Sequence, residues 1–489
     1  MSPEMVEAAQ GADGNLYEKV AQQLAALIAQ GTFRPGDRIP SVRRLSHQQE
    51  ISITTCLTAY RLLEDRGLIE ARPQSGYYVR VRPLHAEPDV TRPRGGPSLV
   101  KIDELVMKVM RGMGAPGLVQ LGAASPSPDL LPNERLHRAL AAAGRRLLAC
   151  GNHYCPTPGL PSLRVQIARR MLESGCAVAP DDVLVTCGAQ EALVLSLRTV
   201  CRPGDTVAIE SPMYFGVLQA IELAGVKAVE IATHPREGLR LDALRKVMAT
   251  TAVKAVFVAS SYSNPLGCCM PPDAKRELVA FLAKRDVPLV EDDTFGDLGH
   301  DNERPPVFKA YDKKGLVLLC SSFSKTLAPG YRVGWVSAGR YQEEVERQKF
   351  VTNVATPTLP QHALADFLAN GGYDRHLRHI RRVYARQMGQ MIGSIGHHFP
   401  PGTKVTRPAG GYVLWVELPA SVSSLALFDR ALEAGITLVP GPLFSARKGY
   451  DNFIRLNAAY WSPEVERAIA TLGELTRRLV ASPRTRNSV

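Results

Sequence analysis

The chain has no uninterrupted apolar run of about 18 residues, the length a membrane-crossing helix requires. It also lacks a basic-then-apolar secretory signal at its start, so the sequence reads as that of a soluble cytoplasmic protein with no membrane partner. Its nine cysteines are scattered, apart from the adjacent Cys268-Cys269. Without a C-x-x-C knuckle or a closely spaced framework, a zinc ribbon and a disulfide-stapled domain are both excluded, and no metal site is expected. No internal repeat is present. Acid is in short supply: 47 Asp and Glu face 59 Lys and Arg, a net charge of +12. That balance suits a polyanionic partner, but an ordinary basic surface gives it too, so charge alone decides nothing. At 489 residues, 45% hydrophobic and 22% charged, the chain can bury several cores and form more than one domain.

The most informative stretch is Ser321-Ser322-Phe323-Ser324-Lys325-Thr326-Leu327-Ala328-Pro329-Gly330-Tyr331-Arg332, which follows the apolar run Leu316 to Cys320. It reads as a buried strand entering a polar loop that presents one lysine and, seven residues on, one arginine. A desolvated lysine attacks aldehydes, and an arginine fork binds phosphate. The pair fits an aldehyde carrying a phosphate, and pyridoxal 5'-phosphate is the obvious one. The loop resembles the lysine loop of fold-type I aminotransferases, which implies an α/β domain with a largely parallel sheet and a Schiff base to the cofactor at Lys325.

That resemblance extends to further motifs in the expected order. Val183 to Ala192 reads as strand, glycine turn and helix start, and free N–H groups at a helix N-terminus attract anions. Gly188, Ala189 and Gln190 are thereby implied to cradle the cofactor phosphate, with Ser322 and Arg332 completing the cup. Tyr214, after the strand Val207 to Glu210, matches the aromatic that stacks on the pyridine ring. Asn264, in Asn264-Pro265-Leu266-Gly267, matches the residue that hydrogen-bonds the cofactor's phenolic oxygen. The strand Val287 to Val290 ends in Glu291-Asp292-Asp293, three carboxylates that repel unless a cation or proton holds one. Alignment assigns the pyridine-nitrogen partner to Asp292, with Asp293 as the alternative. Three residues later many aminotransferases carry a tyrosine, and this chain has Phe295, a departure that bears on transamination more than on cofactor binding. Near the C-terminus Arg455 matches the arginine that clamps a substrate α-carboxylate by a bidentate pair. Pro408 to Tyr412 matches a loop closing near the ligand.

The first eighty residues are of another kind. Leu16, Val20, Leu24, Leu27 and Ile28 share one helical face. A turn-rich link through Gly31, Pro35 and Gly36 leads to a second helix capped by Ser41, and a third runs from a Ser52 cap through Arg66 to Gly67. Leu68 to Val79 reads as two strands around a turn, so the whole is a winged helix-turn-helix. It resembles the DNA-binding domain of the GntR family through Pro35-Gly36-Asp37-Arg38, Pro40-Ser41-Val42-Arg43, Leu63-Glu64 and Gly67-Leu68. The resemblance implies DNA contacts from Arg43, from Ser52, Thr54 and Thr55 on the recognition helix, and from Arg72 and Gln74 on the wing. Ile53 and Leu57 stand where some members carry arginine, which argues against direct guanine readout there.

Three segments are therefore expected: a winged helix-turn-helix over 13–82, a linker over 83–115 rich in proline and glycine at its start, and an aminotransferase class I-like effector domain over 116–489. A basic tail from Ser482 to Asn487 is expected to fray. The layout resembles the MocR subfamily of GntR regulators. Membership implies a transcriptional regulator that binds a double-stranded DNA operator and senses an amino-acid-like effector, or the cofactor itself, by aldimine exchange at Lys325. It also implies a head-to-tail homodimer, associated with the nucleoid when DNA-bound. The second reading is an amino-acid aminotransferase with a fused DNA-binding domain.

Overall fold

The computed structural model describes residues 16–481, except 31, 34, 35, 67, 73, 74, 80–84, 94, 114, 115 and 302. Gly31, Pro35, Gly67, Gln74, the start of the expected linker at Arg82 and Pro83, the Ser482–Asn487 tail and the side chain of Arg72 lie outside what is described. The chain divides into two compact units, Met1–Leu84 with Gly389–His397, and His85–Met388 with His398–Val489.

In the first unit, α1 (Leu16–Ala29), α2 (Val42–Gln49) and α3 (Ile53–Asp65) precede an antiparallel pair, β1 (Ile69–Arg72) and β2 (Gly76–Val79). Ser41 and Ser52 cap α2 and α3 by accepting from Arg44 N and Thr55 N at 3.2 and 3.0 Å. Each bond satisfies an N–H that the helix start leaves orphaned, which fixes where the helix begins. Val20, Leu24, Leu45, Cys56, Tyr60, Leu63, Ile69 and Val79 form the core. Tyr60 meets Tyr77 of the wing edge-on at 4.8 Å and donates to Pro40 O at 2.5 Å, tying wing, α3 and the entry to α2 together. Leu16, placed on the buried face by its spacing, is instead 55% exposed, at the first position of α1.

The second unit is built on an eight-stranded sheet ordered β3-β6-β5-β9-β10-β11-β12-β4. Its strands are β3 (Ser98–Leu99), β4 (Leu184–Thr186), β5 (Thr206–Glu210), β6 (Lys227–Ile231), β9 (Ala255–Ala259), β10 (Leu289–Asp292), β11 (Val317–Ser322) and β12 (Gly334–Ser337), with a small hairpin of β7 (Thr233–His234) and β8 (Gly238–Leu239) between. The five central strands β6, β5, β9, β10 and β11 are parallel, and β3 and β12 run against them. Their nearly continuous apolar sequences match burial on both faces. A second, antiparallel sheet joins β13 (Lys404–Val405), β14 (Val413–Glu417), β16 (Phe453–Asn457) and β15 (Val439–Pro440) in that order.

Part of the stretch read as linker is packed structure. Thr91 bonds Thr233, β3 pairs with β6, and Asp103–Met113 forms a helix that buries Val106, Val109 and Met113. Among the described residues no helix is long and apolar enough to cross a membrane.

Candidate functional site

The parallel strands end at one edge of the sheet, where ligands of open α/β folds bind. Four of the five motifs lie at such ends: Tyr214 follows β5, Asn264 follows β9, Asp292 closes β10, and Ser322 closes β11 with Lys325 just beyond it. The glycine turn follows β4, which runs in the same direction. These loops surround a cavity of about 250 Å³ lined by Ala189, Gln190, Tyr214, Asn264, Asp292, Ser322, Lys325, Arg332 and Arg455. Gly188, not itself a lining residue, is the N-cap directly before Ala189.

At one end of the cavity are a helix start and the Arg332 guanidinium group, donors of the kind that suit an anion. The helix Ala189–Val200 begins at Gly188, with its first N–H groups unpaired by the helix itself. Glu191 bonds back to Cys187 N at 2.6 Å and is held by Lys349 at 3.1 Å, so its charge does not cancel the positive helix end. Arg332 donates to Ser324 Oγ at 3.3 Å and to Cys187 O at 3.2 Å. Gly188 lies at φ 78°, ψ 173°, a region open essentially to glycine alone. A Cβ there would also lie 2.4 Å from Arg332 Nη2. Gly188→Ala is therefore expected to cost about 1–3 kcal/mol and to weaken phosphate binding, read as a lower Tm and a raised cofactor Kd.

The three carboxylates of the β10 end separate by strand alternation. Glu291 accepts from Phe308 N and Lys309 N at 2.8 and 3.0 Å. Asp293 is consumed by Arg304 and by Ser260 Oγ at 2.9 Å. Asp292 alone lines the cavity, where it accepts from Thr294 N at 3.0 Å and from the Thr294 hydroxyl. Burial pushes its carboxyl above the usual range, while the Thr294 bonds oppose that.

Lys325 Nζ donates to Ala124 O at 2.6 Å. Burial, then the Arg455 charge, lowers its pKa to about 8, with Asp292 pulling the other way. Tyr412 OH also approaches Ala124 O, at 3.5 Å. Phe295 packs edge-on to Tyr412 at 5.2 Å, with its ring centroid 5.9 Å from Lys325 Nζ. Arg455, on β16, is 1% exposed. It donates to Asn264 Oδ1 at 3.1 Å and to Gly122 O, and its Nε is buried without a partner. Burial lowers its pKa to about 10. Tyr214 lies over Gly216, where a Cβ would fall 2.5 Å from its ring.

Sequence reasoning passed over Thr294, Ser324 and the carbonyls of Gly122 and Ala124. Ser324 had a signal, since it directly precedes Lys325. The carbonyls had none, because backbone groups carry no residue signature.

The candidate DNA-reading residues belong to the first unit. Arg43, Ser52 and Thr54 are exposed and Thr55 is partly so. The Ser52 and Thr55 hydroxyls bond each other at 2.8 Å, which leaves Thr54 and Ile53, 50% exposed, as the outward groups of the α3 start.

A winged helix-turn-helix, together with an α/β domain whose strand ends gather one lysine, one aspartate and two arginines, defines a DNA-binding regulator with an aminotransferase-like domain. Residues 127–472 match the family model "Aminotransferase class I and II", and residues 16–79 match "Bacterial regulatory proteins, gntR family". The chain belongs to the aminotransferase class I and II family and carries an N-terminal gntR-family domain, a MocR-type combination. It is 37% identical to the HTH-type transcriptional regulator YdcR of Escherichia coli, covering 94% of this chain and 98% of that one. It is 36% identical to YjiR of the same organism, over 94% and 99%. Among solved structures it resembles LysN, the α-aminoadipate aminotransferase of Thermus thermophilus, complexed with N-(5'-phosphopyridoxyl)-L-leucine. That match has a TM-score of 0.71 at 30% identity over 78% of this chain and 100% of that one. The chain is thus a transcriptional regulator whose family implies pyridoxal 5'-phosphate as cofactor.

Proposed function

We propose that the second unit binds pyridoxal 5'-phosphate together with an amino-acid-like effector, and that exchange of amines at Lys325 controls operator binding by the winged helix. The observation that carries this reading is the unpaired Nε of Arg455, a buried guanidinium group lining the same cavity as Lys325 and Asp292. The residues fit the cofactor. Arg332, Ser322 and the amides of Gly188, Ala189 and Gln190 would hold its phosphate; Tyr214 would cover the ring; Asn264 would meet the phenolic oxygen; and Asp292 would meet the ring nitrogen. When bound, the cofactor supplies an aldehyde that condenses reversibly with amines.

Lys325 is the attachment point because its amine loses its proton readily, and Arg455 orients an effector by its carboxylate. Lys325 Nζ, if displaced by an effector's amine, would have the Ala124 carbonyl as its acceptor. An effector moves the equilibrium only by its differential affinity for the two states, and the released lysine and the engaged Arg455 are what differ between them. Arg43, Ser52, Thr54 and Thr55, with Arg72 and Gln74 on the wing, contact the operator. The segment joining the units passes the change to the readers of a head-to-tail homodimer, a nucleoid-associated cytoplasmic assembly. Amino-acid transamination is the weaker reading, since Phe295 brings no hydroxyl to the cavity.

Lys325 also makes the proposal testable by pH. Cofactor-free protein is expected to react with pyridoxal 5'-phosphate at a rate that rises through a single ionisation near pH 8, where Nζ changes from ammonium to amine. At neutral pH its reactive fraction exceeds that of an ordinary lysine roughly 300-fold. A midpoint above 10, read by stopped-flow absorbance, contradicts the assignment.

A further inference from the structure

The helix Gly372–His398 buries one side and exposes another that is rich in arginine. Tyr373, Leu377, Ile380 and Tyr384 lie in the core. Arg375, Arg378, Arg382 and Arg386 are exposed. Spacings of three, four and four residues put them in one row, with neighbours roughly 5–6 Å apart, over about 16 Å of helix. The row is a matter of helical phase as well as composition, because Arg381, in the same run, turns inward to bond Asp297 O at 2.6 Å. Among the described residues no acidic side chain pairs with any of the four. The nearest acid in sequence, Asp374, is held by Arg170 at 2.7 Å.

The helix Asn133–Leu147 extends the surface. Its Leu136 shares a core with Leu377 and Ile380, and its Arg135 lies close enough to His376 to disfavour charge on that imidazole. Arg135 and Arg138 are exposed beside it. Glu134 is the acid in the first turn of that helix.

A solvated basic face is the ordinary explanation for charged helices, but such faces interleave acids four residues away that offset the repulsion. Here four outward positions are arginine, the residue whose planar fork grips phosphate oxygens two at a time, His379 is exposed among them, and the one acid four residues from the row, Asp374, is taken up by Arg170. Like charges kept together without acids are stabilised by a polyanion. This chain has a polyanionic partner already, the duplex its gntR-type reader engages.

We infer that the Arg375–Arg378–Arg382–Arg386 row, flanked by Arg135 and Arg138, is a second DNA-phosphate surface, sequence-independent and carried by the effector domain. The inference rests on the reading of the chain as a DNA-binding protein. Each guanidinium neutralises one phosphate and releases its counterion, which adds affinity and salt dependence without adding base specificity.

The test uses full-length, cofactor-loaded protein and a random-sequence duplex of about 60 base pairs, titrated across salt concentrations. Replacing all four residues (Arg375→Gln, Arg378→Gln, Arg382→Gln and Arg386→Gln) should reduce the slope of log K against log salt by about 0.9 per lost contact. The full loss is up to about 3.6, with affinity at low salt falling about tenfold or more. The corresponding four lysine substitutions should keep most of the slope. The double variant Arg375→Gln/Arg382→Gln should lose about half as much, and it decides the matter if the quadruple variant does not fold. An unchanged slope and affinity in variants with wild-type cofactor absorbance overturn the inference. So does a loss confined to heparin with duplex binding intact, which would assign the surface to another polyanion. If wild type itself fails to bind duplex, the DNA-binding reading falls first, and the two failures are thereby distinguished.

Discussion

With alanine in place of Lys325, cofactor-saturated protein should show no absorbance band near the visible edge beyond that of free pyridoxal 5'-phosphate. Lys325 is the lysine among the cavity-lining residues, and no other amine in the lining can take its place. The effect on the band should be total rather than partial. The phosphate cup does not depend on it: Arg332 keeps its bonds to Ser324 and the Cys187 carbonyl, and the helix start at Gly188 is unchanged. Lys325→Ala should therefore still bind the cofactor, more weakly and without covalent attachment, as equilibrium dialysis can measure. A retained band would move the attachment elsewhere. Loss of all binding would show that the cup contributes little on its own.

The second large effect is expected at the reader. Arg43 at the second helix and Thr54 at the start of the third are exposed and free of capping duty. Ser52 and Thr55 bond each other, and Ser52 also caps α3. Replacing Ser52 confounds recognition with roughly 1 kcal/mol of helix stability. Arg43→Ala/Thr54→Ala is the cleaner change. Each direct contact is worth about 1–3 kcal/mol, so operator affinity should fall by about thirtyfold or more with Tm and cofactor absorbance unchanged. The measurement is a mobility shift or fluorescence titration on the selected operator. Affinity within a factor of two of wild type would remove the recognition helix from the interface.

Much of this was written in local sequence. The capping serines at 41 and 52 announce their helices, because an orphaned N–H needs an oxygen at a fixed offset. The buried strands are near-continuous apolar runs that stop where polar motif residues begin, so the order of motifs gave the order of strand ends. Where three-dimensional direction mattered, the string was silent. Asp292 and Asp293 differ only in which face of β10 they occupy, and Arg304, eleven residues on, is what claims Asp293. The helix at Asp103–Met113 lay unnoticed inside a stretch judged by its proline and glycine content, although Val106, Val109 and Met113 carry its period. Leu16 matched the apolar period of α1 yet is exposed at its first position. The arginine row emerged only once helical phase showed which arginines face out.

Control of DNA binding by chemistry at Lys325, as proposed, is open to one direct titration. Operator affinity is measured for wild type and Lys325→Ala, each saturated with pyridoxal 5'-phosphate, across a panel of free amino acids. Wild type should change affinity about fivefold or more with at least one amino acid, in parallel with a change in its absorbance, and Lys325→Ala should show neither change. An equal shift in Lys325→Ala, or no shift in wild type despite an absorbance response, would contradict it.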